Sequence, residues 1–580
     1  MGDTTPVAWL RFRTPGVTLR ADEVLRRLGR AGAGESLREV TVADGHWEPG
    51  RAAGVGPFAP GTALCLPGRP VRALRAPELR QVRVLTAPLP WREAGAAGWQ
   101  VRRRCARPSL WELEAETGEA TTADLLSWLA VQGSPVVGDV RRGGVLVAGG
   151  LRVCARDDAT PADWWPEEPP FPPQDAELEI SEATRAALQR GHPWVLSDAG
   201  LGDVGRFPSG HRVRLGTRAG GDAGLARIEG AGRLAARRWA APGSASPEVG
   251  ARVAAALERR ACLHQAAGRE DGTDAYRLIH GEADGLPGLA VDRLGSVLRI
   301  LVQGRAALTL RDEVAEALHA VSGSGLPAGL PRIEVVHLRK PEEGWVRCAT
   351  ALDEDLPLDE RGRLVVREAG LQFEVDPGLA EPRRARPGVG LFLDQRANRE
   401  RVRALARGGR FANLFAHTGA FSAALLAGGA REVWSVDLSA AYLGELEANL
   451  ARNDLGARAH HAVKLDARRF LERAEGPGFD GLIIDPPTAA AAGRRYWSVR
   501  RDLEPLLKVA LRRLAPGGFL LVTRNAQRRR EPLSELLLRV ARRAGAPGAE
   551  LSEAPAGPDF PGELHFPEGD PFEGILLRLR

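Results

Sequence analysis

Three aspartates, Asp437 in "VWSVDLS", Asp466 in "AVKLDARRFL" and Asp485 in "GLIIDPPT", each close a short apolar run. An acid that ends a parallel strand stands at the sheet edge where ligands of open α/β folds bind. There a carboxylate can accept hydrogen bonds from both hydroxyls of a ribose, or from the amino and ring N–H groups of a base. Three carboxylates gathered at one edge repel one another and resist desolvation, so packing alone does not account for them. Asp485 is followed by Pro486 and Pro487. These fix φ and remove backbone donors, so the chain leaves the strand in a set direction with the acid at its tip.

Upstream, "NLFAHTGAFSAALLAGGA" (413–430) reads as a strand, a turn at Gly419 and a helix, with Asp437 arriving 18 residues after that glycine. Gly419 lets backbone approach a ligand closely. The stretch is not a dinucleotide fingerprint, because His417, Thr418 and Ala420 stand where a pyrophosphate needs bare glycine backbone. A single-glycine turn plus a ribose acid suits a nucleoside cofactor without phosphates, and S-adenosylmethionine is the common one of that kind.

The elements that must position these residues follow from about residue 390, where strand and helix patterns alternate around the apolar cores "FANLF", "EVWSV", "GLIID" and "GFLLVT". That alternation predicts a doubly wound, mostly parallel sheet. Between "DPPT" and the "APGG" stop, "RRYWSVRRDLEPLLKVALRRL" reads as a helix burying Leu503, Leu506, Leu507, Leu511 and Leu514.

At 580 residues the chain is too long for one core, and several modules are expected. The clearest linker is the Pro- and acid-rich 157–177. After it, 213–240 reads as short strands with glycine turns, and 247–268 as a helix with Val253, Leu257, Cys262 and Leu263 at helical spacing. Residues 276–370 mix strands with a helix at "LRDEVAEALHAV", an α+β pattern. The net charge of +6 favours polyanionic partners weakly, since only three of the basic residues are lysine and the Arg, Ala, Gly and Pro excess looks compositional. Five scattered cysteines, Cys65, Cys105, Cys154, Cys262 and Cys348, form no CxxC pair, which argues against a zinc site or a disulfide framework. His192 and His417 lack spaced partner ligands, so no metal is expected. No segment has the apolar run of a membrane helix and the start lacks a signal core, so a cytoplasmic protein is expected.

Taken together, "GLFLDQRANR", "NLFAHTGAFS", "SVDLS", "IIDPPT" and "LAPGGFLLVTRN" resemble the motifs of class I methyltransferases that modify 23S ribosomal RNA. "RGHPWVLSDAG" with the β-module to Trp239 resembles that family's PUA-type RNA-binding domain, and "YRLIHGEADGLPGLAVDRLG" (276–295) its middle domain. The resemblance covers about residues 178–580. It implies S-adenosylmethionine as cofactor, ribosomal RNA as substrate and a Rossmann-like C-terminal domain. By it, Asn413, Phe415, Thr418 and Gly419 form the methionine-side cradle, Asp437 binds ribose, Asp466 contacts adenine, and Asp485, Pro486 and Pro487 face the target base. Asp394, Gln395 and Arg396 match a signature beside the cofactor pocket, and Ala420 replaces a usual glycine.

Carbon-5 of a pyrimidine is not nucleophilic, and its methylation requires a cysteine to add to the ring first. No cysteine follows Cys348, and the place of the cytosine branch's cysteine reads "VTRNAQ" (522–527). Thr488 replaces the aromatic that usually follows the prolines in amine methylation, with Tyr496 and Trp497 available either to stack on a base or to pack. A ring nitrogen such as guanine N7 needs neither nucleophile nor base, and "DPPT" with Asn525 resembles that guanine-N7 branch. Residues 91–156 resemble a degenerate pseudouridine synthase lacking its catalytic aspartate, and 1–90 an accessory RNA-binding module. The run "QRRRE" (527–531) reads as a solvated face.

The expected architecture is thus an α/β class: modules 1–90 and 91–156, linker 157–177, a PUA-like domain 178–245, an α+β middle domain 246–370 and a methyltransferase domain 371–580. The competing readings are a methyltransferase for a protein or small molecule, and an RNA-binding protein that has lost catalysis.

Overall fold

The computed structural model describes residues 175–580 except 205–206, 208–209, 231, 245–247, 268, 322–325, 327–330, 341–343, 352–355, 380–387, 457, 493–494, 526–530, 547 and 570–571. Within 38–117 it describes the backbone of seven strands, in one antiparallel three-stranded and one antiparallel four-stranded sheet. Residues 118–156 of the synthase-like segment, most of the linker and all but Glu531 of the basic run lie outside the described residues. The chain divides into two compact units, residues 1–248 with 302–314 and 336–346, and the remainder.

In the first unit, β1 (Ala176–Glu179), α1 (Glu182–Gln189), β2 (Trp194–Leu196), β3 (Arg212–Gly216), β4 (Asp222–Ile228) and β5 (Leu234–Ala240) build a five-stranded sheet ordered β1-β3-β4-β5-β2. The short strands read at 213–240 are β3, β4 and β5, and β1 pairs in parallel with β3.

The second unit opens with α2 (Val249–Arg259) and α3 (Ala261–Ala266). The sequence reads here as one helix, but the chain bends at Arg260. That side chain is fully buried and spends its donors on both oxygens of Asp284 (2.8 Å each) and on the carbonyls of Ala256, Arg277 and Asp559. Cys262, expected on the apolar face, is exposed. Strands β6 (Ala275–His280), β7 (Leu289–Leu294) and β8 (Val297–Val302) follow in an antiparallel sheet, then the hairpin β9 (Leu364–Glu368) and β10 (Leu371–Val375). The boundary expected at residue 370 falls inside that hairpin.

From residue 396 onwards the elements are α4 (Arg396–Leu405), β11 (Arg410–Leu414), α5 (Ala420–Ala427), β12 (Glu432–Asp437), α6 (Ala440–Arg452), β13 (His460–Lys464), α7 (Ala467–Arg473), β14 (Phe479–Ile484), the hairpin β15 (Ala489–Ala492) and β16 (Arg495–Ser498), α8 (Val499–Arg513), β17 (Leu514–Asn525), α9 (Leu533–Arg543), β18 (Glu550–Glu553) and β19 (Phe572–Arg578). They form the doubly wound sheet, ordered β13-β12-β11-β14-β17-β19-β18. The first five of these strands are parallel, and β19 and β18 close one side in antiparallel fashion.

Both faces are covered, and alternate residues of each central strand serve opposite cores. Phe411, Ile483 and Leu521 pack towards α4, α5 and α6, whereas Ala412, Leu482 and Leu520 pack towards α7, α8 and α9. The first of these cores also takes in Ala275, Leu294, Val297, Val366 and Phe373, so β6–β10 and the parallel sheet share one interior. Chain order reverses between β11 and β14, which opens a crevice at the carboxyl ends of those strands.

Candidate active site

At that crevice lies a cavity of about 1040 Å³. Its wall is laid down by the β11–α5 turn, the tips of β12, β14 and β17, the 3-10 turn Leu393–Gln395 and the β15–β16 hairpin. The turn is unusual backbone: Phe415 (φ 62°), His417 (φ 49°) and Gly419 (φ 82°) are all left-handed, two of them at a steric cost that non-glycine residues bear only where the surroundings over-determine them. Gly419 is required twice over, because a Cβ there would come within 2.3 Å of Leu446 Cγ. Ala420 is by contrast the first residue of α5 and faces the cavity, so the departure from glycine leaves the turn closed.

Asp437 ends β12 as expected. Its Oδ2 accepts from His417 N–H (3.0 Å) and its Oδ1 from Ser439 N–H (2.8 Å), which fixes the carboxylate while leaving lone pairs on both oxygens. Ser439 in turn caps α6 by accepting from Tyr442 N–H. Asp466 follows β13 by two residues and caps α7, accepting from Arg469 N–H at 3.0 Å. Asp485 comes directly after β14, and its Oδ1 accepts from Thr523 Oγ1 at 2.6 Å. All three acids line the cavity, with Asp394, Gln395, Phe415, Thr418, Pro486, Pro487 and Asn525.

Not every expected residue reaches it. Arg396 turns away into a buried ion pair with Asp559 (2.6 Å), and Asn413 is buried against Ser422 Oγ (2.9 Å), tying β11 to α5. Thr418 is present, but its hydroxyl is committed to the Gly390 carbonyl. The segment after the prolines, expected to be helical from about residue 494, begins instead as the β15–β16 hairpin, and α8 starts at Val499. The hairpin brings Tyr496 and Trp497 to the cavity. Trp497 packs on Phe415 (4.8 Å between ring centroids) and donates to the Pro487 carbonyl, while Tyr496 is 56% exposed. Thr523 and Arg399 escaped the sequence reading. Arg399 also lines the cavity, held by both oxygens of Glu368 (2.5 and 2.6 Å); its spacing of one helical turn from Gln395 was the available signal.

Burial shifts the acids at the base of the cavity. The Asp394 carboxyl is pushed up to about 6 by desolvation and by the neighbouring Asp485 charge, with Arg399 opposing. Burial also raises Asp485, and its hydrogen bond from Thr523 works the other way. The donor set fits a methyl-donor cofactor rather than a nucleotide: Asp394, Asp437 and Asp466 would repel phosphates and favour a sulfonium and an ammonium group.

Residues 354–575 match the family described as S-adenosylmethionine-dependent methyltransferase. A ribosomal RNA large subunit methyltransferase of Deinococcus radiodurans is 33% identical over 332 residues, covering 57% of this chain and 78% of that one. The chain belongs to the ribosomal RNA large subunit methyltransferase family. The ribosomal RNA large subunit methyltransferase I of Cronobacter sakazakii is 27% identical, over 69% of this methyltransferase and 99% of its own length. Among solved structures, a SAM-dependent methyltransferase from Streptococcus mutans shares the fold at 21% identity and a TM-score of 0.55, over 70% of this chain and 100% of that one. A second with the same coverage, at TM-score 0.56, holds SAH. The enzyme is an S-adenosylmethionine-dependent methyltransferase.

Proposed function

We propose that the enzyme methylates a base of large-subunit ribosomal RNA at a ring nitrogen, guanine N7 being the best fit, by direct transfer. The observation that carries the atom is the cavity lining, which lies entirely within 390–525 and so contains no cysteine. A pyrimidine C5 reaction would lack its nucleophile. The names of the relatives support the RNA, and the acids support the base.

When bound, S-adenosylmethionine supplies an electrophilic methyl group. The chain's own part is to hold and orient. Asp437 would take the ribose, Asp466 the adenine amino group, and the turn at Phe415–Gly419 the amino-acid end. Asp485 stands between the prolines and Thr523 with its carboxylate towards the cavity. The free Oδ2 of that carboxylate would accept from the N1–H of a guanine, which leaves N7, a bare lone pair, to meet the methyl. Trp497 and Tyr496 offer ring faces to an extruded base. The five-stranded module at 176–240, with Arg214 and Arg233 exposed, would act as a PUA-like RNA-binding domain, residues 1–90 as an accessory RNA-binding module and residues 91–156 as a degenerate synthase-like segment.

Asp485→Ala should lose about a hundredfold or more of the methylation rate on large-subunit rRNA taken from cells lacking the gene. Retention of the full rate would sink the role given to Asp485. Nucleoside mass mapping of the product identifies the atom, and 5-methylcytidine there would overturn the N7 reading.

A further inference from the structure

Behind Asp485 runs a chain of side-chain hydrogen bonds with a single sense. Arg401 Nη1 donates to Asn398 Oδ1 (2.6 Å), Asn398 Nδ2 to Gln395 Oε1 (3.0 Å) and to the Ala554 carbonyl (3.2 Å), Gln395 Nε2 to Thr523 Oγ1 (3.0 Å), and Thr523 Oγ1 to Asp485 Oδ1 (2.6 Å). The guanidinium at one end can only donate, and the carboxylate at the other accepts. Each amide between them is therefore fixed in one orientation, and the lone hydroxyl proton of Thr523 is left for Asp485. Asn398, Gln395 and Thr523 are 0%, 3% and 1% exposed, so water does not compete for these bonds.

We propose that Thr523 and Gln395 are positioning residues for methyl transfer, holding Asp485 as a one-sided acceptor with Oδ2 free for the target base; the inference rests on the base-orienting role given to Asp485 above. The arrangement comes from two places far apart in the chain, the 3-10 turn running on into α4 and the strand β17, and it converges on one oxygen of one acid. A purely cohesive network would not need to end on a cavity-lining carboxylate whose neutral form is already favoured by burial.

Thr523→Val keeps the shape and deletes the donor. On large-subunit rRNA from cells lacking the gene, its kcat should fall about tenfold or more, since a hydrogen bond to a charged group is lost, while SAH affinity by calorimetry stays near wild type and the thermal midpoint falls by only a few degrees, the cost of leaving the buried Gln395 amide without its acceptor. Thr523→Ser, which restores the hydroxyl, should restore kcat. The acid limb of the rate profile should move to higher pH in the valine variant, as Asp485 loses a donor. The charges that face that site are Asp394, Arg399 with its partner Glu368, and Arg277, and none is altered by the change. A valine variant with wild-type kcat and an unmoved acid limb, alongside an inactive Asp485→Ala, would overturn the positioning role alone. Failure of serine to rescue would overturn it as well. An active Asp485→Ala would instead overturn the reading beneath it.

Discussion

Asp394 and Asp485 are two acids placed where only one charge is comfortable, and Asp394 carries the larger consequence. Its carboxyl, pushed up to about 6, binds a proton more tightly folded than unfolded. The stability it contributes is full below the ordinary carboxylate value of 3.8 and is lost as pH rises through about 6. Asp394→Asn should thus be more stable than wild type at pH 7 by about 1–3 kcal/mol, with the difference vanishing near pH 4, as denaturant titrations at the two pH values would show. At this scale the sequence was most legible where chemistry is scarce. An acid closing an apolar strand is conspicuous, and Asp437, Asp466 and Asp485 all reach the cavity. Thr523 was invisible because a threonine in a strand is ordinary β-sheet material, and only the partners it meets from residues 395 and 485 distinguish it. Arg396 misled for the opposite reason: it belongs to a recognisable run, but helical geometry turns it towards Asp559.

Among elements, the β11–α5 turn has the least freedom. Three left-handed residues in five bring the start of α5 against α6, leaving no volume beside Gly419. Gly419→Ala should cost about 2–4 kcal/mol through backbone strain and collision with Leu446, and weaken S-adenosylmethionine binding at least about tenfold, measurable by thermal unfolding and calorimetry. Its glycine was readable from the sequence; the second reason for it, the Leu446 side chain 27 residues on, was not. The β15–β16 hairpin was missed because "AAAAGRRYWS" has no alternation, and four alanines favour helix. The bend at Arg260 was missed because arginine is a good helix former, and what breaks the helix is a buried partner, Asp284.

For the whole molecule, the alternation of strand and helix after residue 390 was legible, since changes of period are local features of a sequence. The interior shared by β6–β10 and the parallel sheet was not, because it is made of contacts between segments far apart in the chain. If the β-module and the N-terminal strands handle RNA, affinity for rRNA should fall about tenfold or more between roughly 50 and 200 mM salt, in filter-binding or anisotropy titrations. Substitution of exposed Arg214 and Arg233 should flatten that slope.

The position of β19 bears on when activity first arises. Strand β17 carries Thr523 and Asn525, and β19 pairs with it from Phe519↔Arg578 to Asn525↔Phe572. Asp559, fully buried, holds Arg396 and receives the Arg277 backbone N–H. A chain emerging amino terminus first therefore shows β17 as a bare edge, with its site unfinished, until residue 578 has left the ribosome. The site is thus completed only after β19 has been made, so that a nascent chain carries the acids of its cavity before it carries the strand that backs them.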